Sequence, residues 1–344
     1  MNPYASTIII SSLALGTITT LSSYHWILAW VGLEINTLAI IPLMTKTPHP
    51  RAIEAATKYF LTQAAASALI LFSSTLNAWL IGEWAVNSHT CFPSAILLSI
   101  ALTMKLGVAP FHFWLPEVLQ GLTLQTGLIL STWQKIAPMT LLIQLSQSIN
   151  LNLMLTLGLL STVIGGGGGI NQTQIRKLLA FSSIAHLGWM VAILKISPQL
   201  TLFNFTLYIL MTSTLFITFL NLNTKNISEL STSWSKTPTM TALSLLFLLS
   251  LSGLPPLTGF LPKWMIAQEM IKQDLTMFAL IILLSTLLSL FFYLRLTYTM
   301  SLTLSPNSIS SSSTWLYTQK TTIATLIIPS LMLIPVAPTM LSLL

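Results

Sequence analysis

The sequence predicts an all-α, polytopic membrane protein of about eleven transmembrane helices, and three observations carry that prediction. Hydrophobic residues make up 53% of the 344-residue chain and charged residues only 6%, against roughly 25% charged in a soluble domain. The mean hydropathy of +0.81 excludes a water-soluble globule. The apolar residues are gathered into runs near the ~20 residues that a spanning helix needs, without the period-two alternation of a barrel strand. Only helices satisfy every backbone group over runs of this kind.

Loop chemistry divides the chain into segments near 3–22, 25–44, 56–81, 93–120, 122–145, 150–170, 175–195, 198–221, 238–272, 275–300 and 321–343. The first of them, within MNPYASTIIISSLALGTITTLSSYHW, lacks the basic n-region of a secretory signal and the Arg-rich face of a transit peptide. It reads as a spanning helix, so insertion is expected to begin at Met1 with no import address. Placing the N-terminus inside puts Lys46, Arg51, Lys58, Arg176, Lys177, Lys225, Lys236, Arg295 and Lys320 on one side, nine of the 14 basic residues. Lys195 and Lys272 fall at the opposite face. This asymmetry supports both the segment count and the orientation.

Several function classes are excluded early. A net charge of +7 spread this thinly is no nucleic-acid signature, and the single cysteine, Cys91, excludes a disulfide framework, a thiolate zinc site and a Cys-ligated iron–sulfur cluster. The glycine run in VIGGGGGINQTQIRK is followed by no Lys–Ser/Thr pair for a P-loop, and Ile170 stands where a dinucleotide fingerprint needs its third glycine. Close helix packing, or a flexible helix end, is the better reading. NSISSSSTW is a Ser-rich surface loop.

The remaining three lysines, Lys105, Lys135 and Lys263, lie inside predicted spans, as does Glu34. A charge near the bilayer centre costs roughly 3 kcal/mol or more and points to function by default. The bland alternatives are a structural ion pair or a lysine that snorkels to the surface. Snorkelling suits neither Glu34, with its short stem, nor Lys135, which is central in TGLILSTWQKIAPMTLLIQL. Glu34 and Lys105 are expected within ion-pair or single-water distance, because a buried carboxylate needs a partner.

Lys105 is followed at once by Gly107 and Pro110, which break the helix, and then by His112 and Pro116. Pro110 would free the carbonyl of Leu106, and Pro116 that of His112. Freed carbonyls at membrane depth are tolerated only inside protein or beside a water-filled cavity. A lysine beside such an opening can hold a proton or release it. SLSGLPPLTGFLPKWM repeats the device, with Gly253, Pro255, Pro256, Gly259 and Pro262 ahead of Lys263. Paired interrupted spans at matching places in two halves point to an ion path. The halves would be 1–148 and 149–300, with 301–344 adding a loop and a last span; Glu34 then corresponds to His186.

His25, His49 and His89 fall at helix ends or loops, where solvated histidine is ordinary. His112 and His186 lie within spans and could face each other across a haem, but a proton relay uses them without a cofactor, since imidazole titrates near neutrality. Lys105, Lys135 and Lys263 are therefore expected along one hydrated line, joined by His112 and His186.

MKLGVAPFHFWLPEV, SGLPPLTGFLPKW and NQTQIRKLLAFSSIAHLGWM together resemble the antiporter-like subunits of respiratory complex I. The resemblance covers essentially the whole chain, and its length and Met-Asn-Pro start are similar to those of the vertebrate mitochondrially encoded members. It implies two inverted five-helix repeats, each with a broken helix. It also implies proton translocation across the mitochondrial inner membrane, driven by electron transfer from NADH to ubiquinone elsewhere in the complex. The family's central acid would fall on Glu34, its broken-helix lysines on Lys105 and Lys263, and its axial lysine on Lys135; His112 and His186 would be polar axis positions. NADH, FMN, iron–sulfur clusters and ubiquinone would be bound by other subunits and no cofactor by this chain. Its partners would be membrane-arm subunits, including other antiporter-like ones, and phospholipids, with no nucleic acid. The family commonly has a tryptophan where this chain has Gly167, which bears on local packing. A free-standing cation/proton antiporter would share the fold and the lysines; a purely structural scaffold would need no broken helices.

Overall fold

A computed structural model describes residues 3–86, 90–235, 238–255, 257–302 and 330. Its described residues form fourteen α-helices and no strand, with isolated bridges only at His25–Ala85 and Gln174–Asn226. In chain order these are α1 (Pro3–Leu21), α2 (Trp26–Met44), α3 (Pro50–Ile81), α4 (Phe92–Leu106), α5 (Trp114–Gly121), α6 (Leu124–Ser131) and α7 (Trp133–Gln144). There follow α8 (Leu151–Gly169), α9 (Ile175–Ile193), α10 (Pro198–Leu222), the short α11 (Ile227–Ser231), α12 (Pro238–Ser252), α13 (Phe260–Lys272) and α14 (Thr276–Ser301). The expected last span at 321–343 lies outside the described residues except Ser330, as do His89 and Pro256. Six helices, α1, α2, α3, α8, α10 and α14, are long and apolar enough to cross a membrane unaided.

Helix α3 starts earlier than its apolar run, because Pro50 fixes the first helical φ and the His49 ring accepts the Arg51 amide at 3.1 Å. At ~1.5 Å per residue its 32 residues reach about 48 Å, well beyond the ~30 Å hydrocarbon layer. The extra turns carry Arg51, Glu54 and Lys58. Lys58 bonds both Glu54 and Glu117 at 2.6 Å, tying the end of α3 to α5.

Three spans are built of two helices end to end. Helix α4 stops at Gly107, whose φ of 78° is left-handed and favours glycine. The Val108 amide bonds the Thr103 carbonyl at 3.0 Å and the Gly107 amide bonds that of Met104 at 3.1 Å, a Schellman ending. The prolines therefore act differently from the sequence expectation. The helix has already ended before Pro110. Pro116 sits in the first turn of α5, where no intrahelical acceptor is lost, and the His112 carbonyl is taken by the Leu115 amide at 3.1 Å. Helix α12 ends the same way at Gly253, with φ 85°. The Leu254 and Gly253 amides bond the carbonyls of Leu249 (3.4 Å) and Ser250 (3.0 Å), and Pro255 follows in the loop.

The two breaks are not copies in one respect: Lys105 is in the last turn of the helix before its gap, whereas Lys263 is in the first turn of the helix after its gap. The third interruption has no counterpart in the sequence reading. At Thr132, φ −112° and ψ −69° divide α6 from α7, and the Lys135 amide bonds the Thr132 carbonyl at 3.3 Å.

Helix α9 is apolar on almost every face and is buried accordingly at the centre of the bundle. Its closest neighbour is α8, and small residues make that approach possible. A methyl added at Gly158 would stand 2.7 Å from the Ala192 Cβ, and one at Gly165 would stand 2.6 Å from the Ala185 amide nitrogen. Gly188 faces Ser161 and Thr162 as tightly. The glycine run is thus the last turn and a half of α8, not a loop. Gly168 accommodates Phe181 and Gly169 accommodates Phe292, but Gly167 has nothing within 4 Å of an added Cβ. The absent tryptophan therefore leaves the internal packing untouched.

These contacts predict a contrast. Gly188→Leu forces α8 and α9 apart and should cost at least the ~1–3 kcal/mol of an overpacked core, seen as lost complex yield and a lowered Tm. Gly167→Trp should leave both unchanged. Equal behaviour of the two variants would refute the packing assignment.

Candidate functional site

Lys105 is buried, and its ammonium nitrogen has no hydrogen-bond partner among the described residues. The carbonyls around it are engaged: Trp114 Nε1 donates to the Met104 carbonyl at 3.2 Å, and Gln63 Nε2 reaches the Lys105 carbonyl at 3.5 Å. The Schellman turn and these side chains thus close the carbonyls of Thr103, Met104 and Lys105 at this break. What remains open is the ammonium itself. It lines a small cavity of ≈ 20 Å³, measured as space for the centres of water molecules, which is room for about one or two waters. Lys135 lines the same cavity, with Asn36, Tyr59, Gln63 and Gln134. Asn36 is buried with both side-chain polar atoms unpartnered by protein. A buried polar group in that state needs a partner, and here water-sized space adjoins it.

Lys135 is 3% exposed, too little for a snorkelling lysine. Its Nζ donates to the Tyr208 hydroxyl at 3.1 Å and lies 5.2 Å from the centre of that ring. The Tyr208 hydroxyl in turn donates to the Ser131 carbonyl at 3.2 Å. That carbonyl is available because of the interruption at Thr132: in an unbroken helix it would accept from the Lys135 amide, which here bonds Thr132.

Tyr208 also lines a second cavity of ≈ 10 Å³ by the same measure, together with His186, Asn204 and Lys263. The His186 and Tyr208 rings are 6.0 Å apart. Lys263 Nζ reaches back across its break to the end of α12, donating to the carbonyls of Ser252 at 2.8 Å and Leu251 at 3.4 Å. Here the carbonyls freed by a helix break are partnered by the lysine itself. Gly253 makes room for it, since an added Cβ would be 2.8 Å from that Nζ.

Five of the expected residues therefore fall into a connected set with Tyr208: Lys105, Lys135, His186 and Lys263 around two cavities, with Gly107 shaping the first break. Two stand apart. Glu34 makes no direct ion pair with Lys105; its Oε2 is buried without a partner among the described residues. The reason is helical register. Leu33, Asn36 and Thr37 of α2 line the cavity, and Glu34 lies about 100° round the helix from Leu33. His112 is buried in the loop between α4 and α5, packs on Phe113 with ring centres 4.3 Å apart, and lines neither cavity. Tyr208 was missed by attention to charge alone. Its signal is a polar stripe, Asn204, Tyr208 and Thr212, at four-residue spacing on an apolar helix.

The family profile described as "NADH:quinone oxidoreductase/Mrp antiporter, TM" matches residues 23–289, and that of "NADH dehydrogenase subunit 2 C-terminus" matches 290–341. NADH-ubiquinone oxidoreductase chain 2 of Aquarana catesbeiana is 62% identical over 99% of each chain. That of Xenopus laevis is 61% identical over 98% of this chain and 99% of its own. Among solved structures, a chain of respiratory complex I from Thermus thermophilus superposes with a TM-score of 0.83 at 27% identity, over 97% of this chain and 80% of that one. A chain of the Mrp complex from Dietzia shares the fold, with a TM-score of 0.79 at 17% identity over 85% of this chain and 60% of that one. With its three-piece break pattern on that fold and this identity along nearly its whole length, the chain belongs to the NADH-ubiquinone oxidoreductase chain 2 family.

Proposed function

We propose that this chain moves protons through the membrane by way of Lys105, Lys135, His186 and Lys263, coupled to electron transfer that other subunits perform. As a member of its family it is a multi-pass, membrane-arm subunit of respiratory NADH–ubiquinone oxidoreductase in the mitochondrial inner membrane, beside other antiporter-like subunits. NADH, FMN, the iron–sulfur clusters and ubiquinone belong in this reading to the other subunits, and phospholipid covers the apolar outer faces. The observation that carries the proposal is that Lys105 and Lys135 share one cavity while Lys135 is hydrogen-bonded to a residue of the next.

A proton moves only between groups in hydrogen-bond reach, directly or through a water. The first cavity links Lys105 to Lys135 at that scale, and the second links Tyr208 to His186 and Lys263. Two ammonium groups sharing a cavity repel, so loading Lys105 favours release from Lys135. Glu34 makes no salt bridge with Lys105, so the lysine is not locked by it. The division into halves, 1–148 and 149–300, is part of this reading, and the left-handed glycines that close α4 and α12, one in each half, support it. The full-length identity to chain 2 relatives favours this function over a free-standing antiporter, for which the likeness is one of fold.

Two substitutions test the role. Lys135→Met keeps the apolar stem and removes the exchangeable proton; coupled proton movement in sealed vesicles should fall by at least the ~10²-fold typical of a lost acid–base group. NADH oxidation with an artificial acceptor and complex yield should be unchanged. Normal proton movement in the assembled variant would reject the path. Lys105→Arg separates transfer from charge. Arginine keeps the positive charge and does not release its proton, so it should block proton movement while preserving assembly. A lysine that served only to hold helices together would be replaced by arginine without loss of pumping.

A further inference from the structure

We propose that the Tyr208 hydroxyl is the joint between the two cavities, passing the proton from Lys135 towards His186 and Lys263, with the Ser131 carbonyl as its latch. The inference rests on the proton path above and adds a residue and a switching step to it. Tyr208 is on α10, carries no formal charge and lies on none of the three interrupted spans.

The donor arithmetic fixes the resting state. An ammonium has three donors and no acceptor, so in the 3.1 Å contact Lys135 donates and the phenol oxygen accepts. The phenol has one proton of its own, and that proton goes to the Ser131 carbonyl at 3.2 Å. In this state the chain of donors ends on a backbone oxygen that cannot take a proton onward. The Ser131 carbonyl can play this part only because the helix is interrupted beside it.

Rotation about the phenol C–O bond carries the O–H from Ser131 towards the second cavity, which the same residue lines, without moving the ring. A proton then leaves the Lys135 ammonium for the phenol oxygen as the phenol's own proton leaves for a water in that cavity or for the His186 imidazole. Lys135 ends neutral, the acceptor ends with one added positive charge, and Tyr208 is a neutral phenol before and after. No phenolate forms, so the step needs no stabilising cation at Tyr208. With its own donor neutralised, Lys135 is ready to accept from the first cavity, and the hydroxyl returns to Ser131.

Tyr208→Phe tests the joint in the intact complex, since it removes one oxygen and keeps the ring that packs on Phe205 and His186. Coupled proton movement should fall at least tenfold, with assembly and NADH oxidation by artificial acceptors unchanged. Tyr208→His, which restores a ring donor and acceptor, should recover much of the lost movement. Normal pumping by the Phe variant overturns the joint, and so does a His variant that assembles but pumps no better than Phe. Should the Phe variant fail to assemble, the His variant against the wild type decides: pumping supports the joint, and its loss in assembled complex overturns it. Lys135→Met separates this outcome from failure of the path itself. If that variant stops pumping while Tyr208→Phe does not, the path stands and the joint falls; if neither affects pumping, both fall.

Discussion

Hydrocarbon offers no partner to a charged or polar group, and the interior of this protein is arranged around that constraint. Lys105, Lys135 and Lys263 are each placed where a helix is interrupted. Lys105 stands two residues before the left-handed Gly107, Lys135 three residues after the kink at Thr132, and Lys263 spans its break to bond the last carbonyls of α12. The interruptions serve the lysines in different ways. At Lys263 the free carbonyls are the lysine's own partners. At Lys135 the freed Ser131 carbonyl holds a tyrosine that partners the lysine. At Lys105 side chains take the carbonyls of Met104 and Lys105, and the lysine itself lines a cavity.

Small residues make this interior possible. The seam of Gly158, Ser161 and Gly165 against Ala185, Gly188 and Ala192 draws α8 and α9 close. Between helices in lipid there is no hydrophobic drive, and such close backbone approach supplies the attraction instead. It fixes α9, and hence His186, at the centre of the bundle. At the basic end, Lys58 between Glu54 and Glu117 holds α5, whose Trp114 covers the wall beside Lys105. The rigid parts thus define two cavities of near-water size, and Tyr208, which lines the second, bonds Lys135 of the first.

Much of this was legible in the sequence. Apolar runs without period-two alternation, the basic asymmetry of the loops and the three interior lysines are all compositional, and they lead to an all-helical membrane chain with charges at its axis. Two of the breaks were legible too, from glycine and proline beside a lysine. Their mechanism was not. Whether a carbonyl freed near Pro110 stays free depends on Gln63 and Trp114, which lie 42 and 10 residues from the carbonyls they reach. The kink at Thr132 has only a hydroxyl residue as its mark, and Thr132 Oγ1 bonds the Leu128 carbonyl within the turn. No direct Glu34–Lys105 ion pair forms, because centrality in two spans says nothing about register. His112 lies in the loop between α4 and α5 and lines neither cavity, a placement that its position inside an apolar run does not reveal.

The proposed path requires that two cavities, one on each side of Tyr208, carry water that connects the lysines. A map of the assembled complex at a resolution that reveals ordered water is its most direct test. The account predicts water between Lys105 and Lys135 beside Asn36, and water between Tyr208, His186 and Lys263, with the phenol bridging them. Cavities filled by apolar side chains or lipid in every observed state, leaving Lys135 sealed from both neighbours, would contradict it.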